Sequence, residues 1–306
     1  MKLTRRTLLQ NSAAAALPFA LPRMAWAQTT LSGDGIRLDT LSDGHLVLPK
    51  SFTLGEMPPE GADAILAKYG ITGDTLEPDC NVTLLRSGDR VVLFDVGSGP
   101  DFMPTAGKIA DAFDALGVDP YDVTDVVFTH GHPDHLWGLL DDFGDLHFPD
   151  ANYFMGQAEW DYWTDPDTVN TIDPGRVTFA VGAANRLAEL TDRINLFADG
   201  AEVVPGVAAR ATFGHTPGHM AFEVGIGNES VMIVGDSIVN HHVAFERPAW
   251  MSGSDQNGEL AAQTRVALLD QLATDQTRLI GYHLPNGGVG RAERQGDTYV
   301  FVSEEG

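Results

Sequence analysis

The sequence predicts an α+β fold in which helices pack on the outer faces of two β-sheets. Three observations predict it. Strand-like and helix-like segments are interspersed along the chain, and the second half, from GVAARATF onward, repeats the logic of the first. No Pro/Ser-rich linker divides residues 28–306, which therefore read as one domain. At 306 residues the chain is long enough to bury a large core, and its 43% hydrophobic content is that of an ordinary globular protein.

The first 27 residues stand apart. MKLTRRTLLQNSAAAALPFALPRMAWA places Lys2, Arg5 and Arg6 ahead of a mildly apolar middle and ends in the small-x-small triplet Ala25-Trp26-Ala27, the pattern of an export signal. The paired arginines of TRRTLL resemble the twin-arginine type, so a periplasmic location is expected. Prolines break the apolar run, which is too short to span a bilayer, and no later segment reaches spanning length, so no membrane insertion is expected. Removing the segment takes away four positive charges and no acid, moving the formal charge from −24 to −28. Such a surface repels phosphate backbones and counts against nucleic-acid partners. The single cysteine, Cys80, cannot form an internal disulfide and reads as a half-buried small hydrophobe at a strand start.

The elements follow in order. After a linker-like start, GHLVLP (44–49) reads as a strand, and NVTLLRSGDRVVLFDVGSG as two strands joined by a tight Ser-Gly-Asp turn. GKIADAFDALGV has Ile109, Phe113 and Leu116 at helical spacing. VTDVVFT returns to strand and HPDHLWGLL starts a helix; ANYFM reads as a short strand, and QAEWDYW and VTFAVGAANRLAELTDRI as helices. The strands GVAARATF, AFEVGI and SVMIVGD, the helix ELAAQTRVALLDQLA, and the strands TRLIGYH and DTYVFV complete the chain.

Chemistry concentrates in THGHPDHLWG. Three of the ten histidines and an aspartate fall between His130 and His135. Residues two apart in an extended segment share a side, so His130 and His132 can reach one ion together. Pro133 breaks the strand and aims Asp134 and His135 at a second point. Imidazole and carboxylate suit zinc, with manganese, cobalt and iron also compatible. Three further signals join them: His219 after the Thr-Pro-Gly turn of TFGHTPGHM, Asp236 at the end of the buried strand VMIVGD, and His283 in LIGYHLP. An uncompensated carboxylate such as Asp236 would be costly at a buried strand end, and a cation would stabilise it.

At this point the chain resembles the metallo-β-lactamase superfamily. HGHPDH matches its HxHxDH motif, GHTPGH its third-ligand loop, GDS its bridging aspartate, YHLP its last histidine and LFDVGSG its early strand-and-turn signature. The resemblance implies a four-layer αββα sandwich with the site along the edge between the sheets. Carried over by residue, it implies that His130, His132 and His219 hold one divalent ion, Asp134, His135 and His283 a second, and that Asp236 bridges them. Homodimerisation is a family expectation. The class B β-lactamases lack a bridging aspartate here, flavodiiron proteins carry glutamate where this chain has His132, and glyoxalase-II-like thioesterases add a helical extension. The C-terminal half is similar to exported methyl parathion hydrolase-like proteins and their lactonase relatives. Well-known acyl-homoserine lactonases place a tyrosine three residues after the bridging aspartate; Val239 occupies that position, which argues against a tyrosine-assisted lactonase mechanism.

The implied activity is a dinuclear metal-dependent hydrolase of small-molecule esters in the broad sense, lactones, aryl esters or organophosphate triesters, with a metal-bridging hydroxide as nucleophile. Asp134 and Asp236 are the candidate catalytic carboxylates, Asp134 as a proton shuttle as well as a ligand. Trp163 and Phe245, with Trp137 and Trp250, are the candidate substrate-pocket residues. His215 reads as a support for its loop, and Asp95 as a turn residue that helps orient a ligand. The alternative is a mononuclear iron oxidoreductase of the same fold, persulfide dioxygenase-like, against which the intact Asp134, His135 and His283 argue.

Overall fold

The computed structural model describes residues 27–55 and 57–304. The expected export signal therefore lies, but for Ala27, outside the described residues. The described residues open with a hairpin rather than a linker: β1 (Ala27–Gly33) pairs antiparallel with β2 (Ile36–His45). Asp34 and Gly35 both take positive φ between them (50° and 80°), the two-residue turn that matches strand twist. The Asp-Gly dipeptide before IRLDTL carried that signal. β2 takes in Gly44 and His45, and the rest of GHLVLP contributes only the two-residue β3 (Leu48–Pro49), which pairs with β4 (Thr75–Leu76). Between these two strands lie the helices Lys50–Leu54 and Pro59–Lys68, neither expected from the sequence.

The first large sheet continues with β5 (Asp79–Ser87), β6 (Arg90–Phe94), β7 (Asp125–Val127), β8 (Asn152–Gly156) and β9 (Ile194–Phe197), in the order β1-β2-β5-β6-β7-β8-β9. From β6 to β9 the strands run parallel. The second comprises β10 (Glu202–Val204), β11 (Val207–Ala211), β12 (Met220–Ile226), β13 (Glu229–Gly235), β14 (Arg278–Gly281), β15 (Val289–Gln295) and β16 (Thr298–Ser303), paired in chain order. It is antiparallel except at β13–β14, which the helix Gly258–Asp275 connects.

Alternation along the strands builds the four layers. In β6, Val92 and Phe94 face the second sheet, meeting Phe222 and Ile233, while Leu93 faces outward with Val82 and Leu84. Helices Ile109–Leu116 and Val177–Ala188 cover that outer face through Phe113, Ala180 and Leu187. On the far side, Met232 and Val234 of β13 meet Leu268, Leu269 and Leu272 of helix Gly258–Asp275. The αββα sandwich is thus formed as the sequence implies. Because each sheet is buried on both faces, its strands read as continuous apolar runs. Among the described residues no helix is long and apolar enough to cross a membrane.

Candidate metal centre

The functional side chains follow the C-terminal ends of β6, β7, β13 and β14, where open α/β sheets present their crevices, and are joined there by His215 from the loop between β11 and β12. After β7 the chain passes Thr129 and His130 and turns at Pro133 into a single helical turn, Pro133–Leu136, with a 3₁₀ turn at Trp137–Leu139 in place of the longer helix expected. Gly131 must lack a side chain: a Cβ there would lie 2.5 Å from the Trp163 indole nitrogen.

Three imidazoles converge at one point. His130 Nε2 lies 3.0 Å from His132 Nδ1, which lies 2.9 Å from His215 Nε2. The opposite ring nitrogens of His130 and His215 have oxygen partners, while that of His132 has an amide nitrogen beside it. His130 Nδ1 is 3.0 Å from Thr129 Oγ1, His132 Nε2 is 3.3 Å from the Gln256 amide, and His215 Nδ1 is 2.9 Å from Asp255 Oδ1. Burial lowers His130 and His132 well below the usual histidine range, so both are neutral and carry lone pairs. Three lone pairs this close would repel without a cation, and ligands of one tetrahedral zinc, at about 2.0–2.1 Å each, stand only about 3.3 Å apart.

A second cluster adjoins the first. His283 Nε2 lies 3.2 Å from both Asp134 Oδ2 and Asp236 Oδ2, and His135 Nε2 lies 3.4 Å from Asp134 Oδ2 and 3.3 Å from Asp236 Oδ1. His135 Nδ1 is 2.8 Å from Asp95 Oδ2 and His283 Nδ1 is 2.7 Å from the Asp79 carbonyl, which leaves both Nε2 atoms aimed inward. Burial opposes charge on these two imidazoles, but the neighbouring carboxylates raise both well above the usual range. A cation supplies that positive charge while the rings stay neutral. Asp134 Oδ2, His135 Nε2 and Asp236 Oδ1 are buried and without a hydrogen-bond partner among the described residues. Such orphans are rare in native proteins unless an ion or water satisfies them. Asp236 spans the clusters, since its Oδ2 also lies 3.3 Å from His215 Nε2. The donor set therefore fits two divalent ions.

One expected ligand is displaced. His219 stands outside both clusters: its Nε2 accepts the Asp236 backbone N–H at 2.9 Å and its Nδ1 lies 2.8 Å from Thr212 Oγ1, so neither nitrogen is free. His215, expected to support the loop, takes its place, and His219 instead fixes the backbone of Asp236. The two histidines of GHTPGH have equal claims in sequence, and the Thr-Pro-Gly turn serves another contact. Its Gly218 N–H and Thr216 hydroxyl donate to Glu159 Oε2 (2.9 and 2.7 Å), while Gly131 N–H donates to Oε1 (2.8 Å). Glu159 thus ties the two ligand loops together. Burial pushes its carboxyl up, against four hydrogen bonds that favour the charged form. A glutamate four residues before a tryptophan on the buried face of a helix was the available signal.

Asp95 is placed as expected, accepting from Thr129 N–H and Oγ1 (both 2.7 Å) while holding His135. Cys80 is fully rather than half buried. Its Sγ lies within 4.8 Å of Asp134 and His283 ligand atoms, and burial pushes its thiol up to about 12, so it borders the centre uncharged.

A cavity of about 240 Å³ opens over both clusters, reached by His132, Asp134, His215, Asp236 and His283. None of the four expected aromatics lines it. Trp163 is buried behind His132, its ring 5.8 Å away and its N–H on Glu159. Phe245 is buried against Phe301 on the outer face of the second sheet. Trp137 packs between Arg186 and Phe102, and Trp250 lies against Gly61 and Arg247. Large apolar rings were taken by core and layer contacts instead. The wall is built from Leu46, Leu48, Phe52, Ile71, Phe102 and Phe179, with Val239, His241 and His242.

Residues 75–283 match the family model described as the Metallo-beta-lactamase superfamily, and the chain belongs to that superfamily. It is a metallo-β-lactamase-fold hydrolase with a His-rich candidate metal site. Among solved structures it is similar to hydrolase AbOPH in the beta lactamase superfamily (TM-score 0.85, 24% identity, 92% of this chain and 98% of that one). It is also similar to AidC, a dizinc quorum-quenching lactonase in complex with a product N-hexnoyl-L-homoserine (0.86, 22%, 92% and 99%). A probable metal-dependent hydrolase from Staphylococcus aureus follows (0.71, 18%, 90% and 99%). At these identities the likeness is one of fold. No curated protein matches by sequence.

Proposed function

We propose that the protein is a dinuclear metal-dependent hydrolase of small neutral esters, lactones, aryl esters or phosphotriesters among them. The carrying observation is Asp236, whose carboxylate lies within 3.3 Å of His135, His215 and His283 and so reaches both ligand clusters. Two divalent ions in such a cradle lower the pKa of bound water and polarise an electrophilic oxygen. The chain's own residues do the rest. His130, His132 and His215 would hold one ion, Asp134, His135 and His283 the other, and Asp236 both. Asp134, which also lines the cavity, is the carboxylate we assign to pass a proton to the leaving oxygen.

The cavity supports the substrate class. Its wall is mostly apolar, and among the described residues neither Lys nor Arg lines it, so away from the ions no side chain would pair with a second negative charge, which suits a neutral ester. An acyl chain or aryl ring suits Phe52, Phe102 and Phe179. The AidC structure, a dizinc lactonase of the same fold, supports two zinc ions and a lactone among the candidates. The test is a hydrolysis panel of lactones, aryl esters and phosphotriesters on metal-analysed protein, with Asp236→Ala as control. Two ions per chain and turnover abolished in the variant are expected; one iron per chain with oxygen consumption would sink the reading. The proposal keeps export to the periplasm, on the strength of TRRTLL and Ala25-Trp26-Ala27. Cell fractionation of the full chain with Arg5 and Arg6 both changed to lysine checks it: the protein should then stay in the cytoplasm.

A further inference from the structure

Beside the His130 cluster lies a buried ion pair that the reaction does not require. Asp255 and Arg265 are 8% and 1% exposed, and either charge alone would be costly there. Arg265 is pinned by its own hydrogen bonds, Nε to the Pro248 carbonyl (3.0 Å) and Nη2 to the Trp250 carbonyl (2.8 Å). Its Nη1 lies 3.3 Å from Asp255 Oδ2 and so fixes the carboxylate. The other oxygen, Oδ1, is the one 2.9 Å from His215 Nδ1. An ionised carboxylate can only accept, so Nδ1 carries the proton and Nε2 turns a lone pair toward His132 and Asp236. The next residue reinforces the grip: Gln256 N–H donates to the His215 carbonyl at 3.0 Å. The second cluster takes its orientation elsewhere, His135 from Asp95 and His283 from the Asp79 carbonyl.

We propose that Asp255, anchored by Arg265, is a positioning residue that selects the metal-binding tautomer of His215 and thereby sets the affinity of one ion site without altering the other. The inference rests on the two-site reading above. An asparagine at this position keeps the shape but can donate to Nδ1, which would place the His215 proton on Nε2, facing the ion.

The test is zinc titration of the chelator-stripped full-length protein against a chromophoric competitor, comparing wild type, Asp255→Asn and the double variant Asp255→Leu/Arg265→Met, which replaces the pair by apolar side chains that cannot accept from Nδ1. Asp255→Asn should weaken one of the two ions by about 10- to 100-fold, the range for loss of such an outer partner, and leave the other within about twofold. Because the single variant leaves Arg265 unpaired and can fail to fold for that reason alone, the double variant carries the decision. It should recover the wild-type melting temperature of the metal-free protein and still bind the first ion weakly. Recovery of full affinity in the folded double variant would overturn the proposal, since Asp255 would then serve only to neutralise Arg265. Equal weakening of both ions would also overturn it. If the wild type takes up one ion only, the two-site reading fails, and unchanged affinity for that ion in the double variant would defeat the positioning role as well.

Discussion

The metal cradle and the cavity wall face each other across a few ångströms, yet they are built in opposite ways. Four of the cradle's side chains come from six consecutive residues, His130 to His135, and four of the five inward-facing imidazoles are oriented through an acceptor on the opposite nitrogen. The wall is assembled from separate segments around Leu46, Ile71, Phe102, Phe179 and Val239, held by apolar contact with little hydrogen bonding of their side chains. A buried donor set tolerates almost no displacement, because each orphaned polar atom costs about 1–3 kcal/mol. An apolar wall can be re-formed by side chains of similar volume. The difference separates what the reaction needs from what chooses its substrate.

The largest effect expected from breaking this division is at the point where the two clusters meet. Asp236→Ala removes the carboxylate that, alone among the described residues, reaches His215, His135 and His283 together. Metal uptake should fall from two ions to one or none, and kcat/KM should drop by more than the roughly 100-fold upper figure for losing an outer partner. Elemental analysis beside steady-state kinetics checks both; a variant that keeps two ions and its turnover would show that Asp236 is not the bridge.

A step outward, Glu159 holds the loops that carry His132 and His215 without reaching either imidazole itself. Glu159→Gln turns one acceptor oxygen into a donor facing groups that themselves donate, and metal affinity should fall about 10- to 100-fold. Phe179 tests the other region. It lines the cavity with its ring 5.8 Å from that of His132. Phe179→Ala should raise KM for an aryl or long-acyl ester about 5- to 30-fold, the equivalent of about 1–2 kcal/mol of lost apolar contact, with kcat and metal content nearly unchanged. A large fall in kcat or loss of metal would erase the proposed separation between cradle and wall.

The same contrast explains what could be read from sequence. The HxHxDH stretch, Asp236 and His283 are legible because a ligand follows its strand end directly, and the layers are legible because VVLF and VMIVG are apolar on both faces. His215 and His219 could not be told apart, since the choice depends on Thr212, Asp255 and the Asp236 backbone, all of them contacts formed only in the folded chain. The aromatics failed as pocket markers for a related reason. Trp163 and Phe245 have no local feature that separates a core ring from a lining one, and the helix Lys50–Leu54, which brings Phe52 and Thr53 to the cavity, is too short to show an apolar period.

The smallest expected effect lies where wall and charge meet. His242 lines the cavity and its Nδ1 accepts the Val243 backbone N–H at 2.8 Å, so its neutral form is built into the fold. Burial, with smaller contributions from His241 and Lys50, lowers it to about 3 from an ordinary 6.5. The unfolded chain therefore binds a proton at this residue between pH 6.5 and about 3 while the folded chain does not. Stability from this group is complete above the ordinary pKa of 6.5 and is lost as the pH falls through that window, by up to about 1.4 kcal/mol per unit. An asparagine in its place would keep a polar, hydrogen-bonding side chain without the titration, so His242→Asn should flatten the fall in urea midpoint between about pH 6.5 and 4 relative to wild type. Measured on the metal-free protein, the comparison leaves the other buried imidazoles common to both chains. Identical slopes would mean that His242 titrates in the folded chain as it does in the unfolded one, and the cavity wall would then gain a cation as the pH falls below about 6.5.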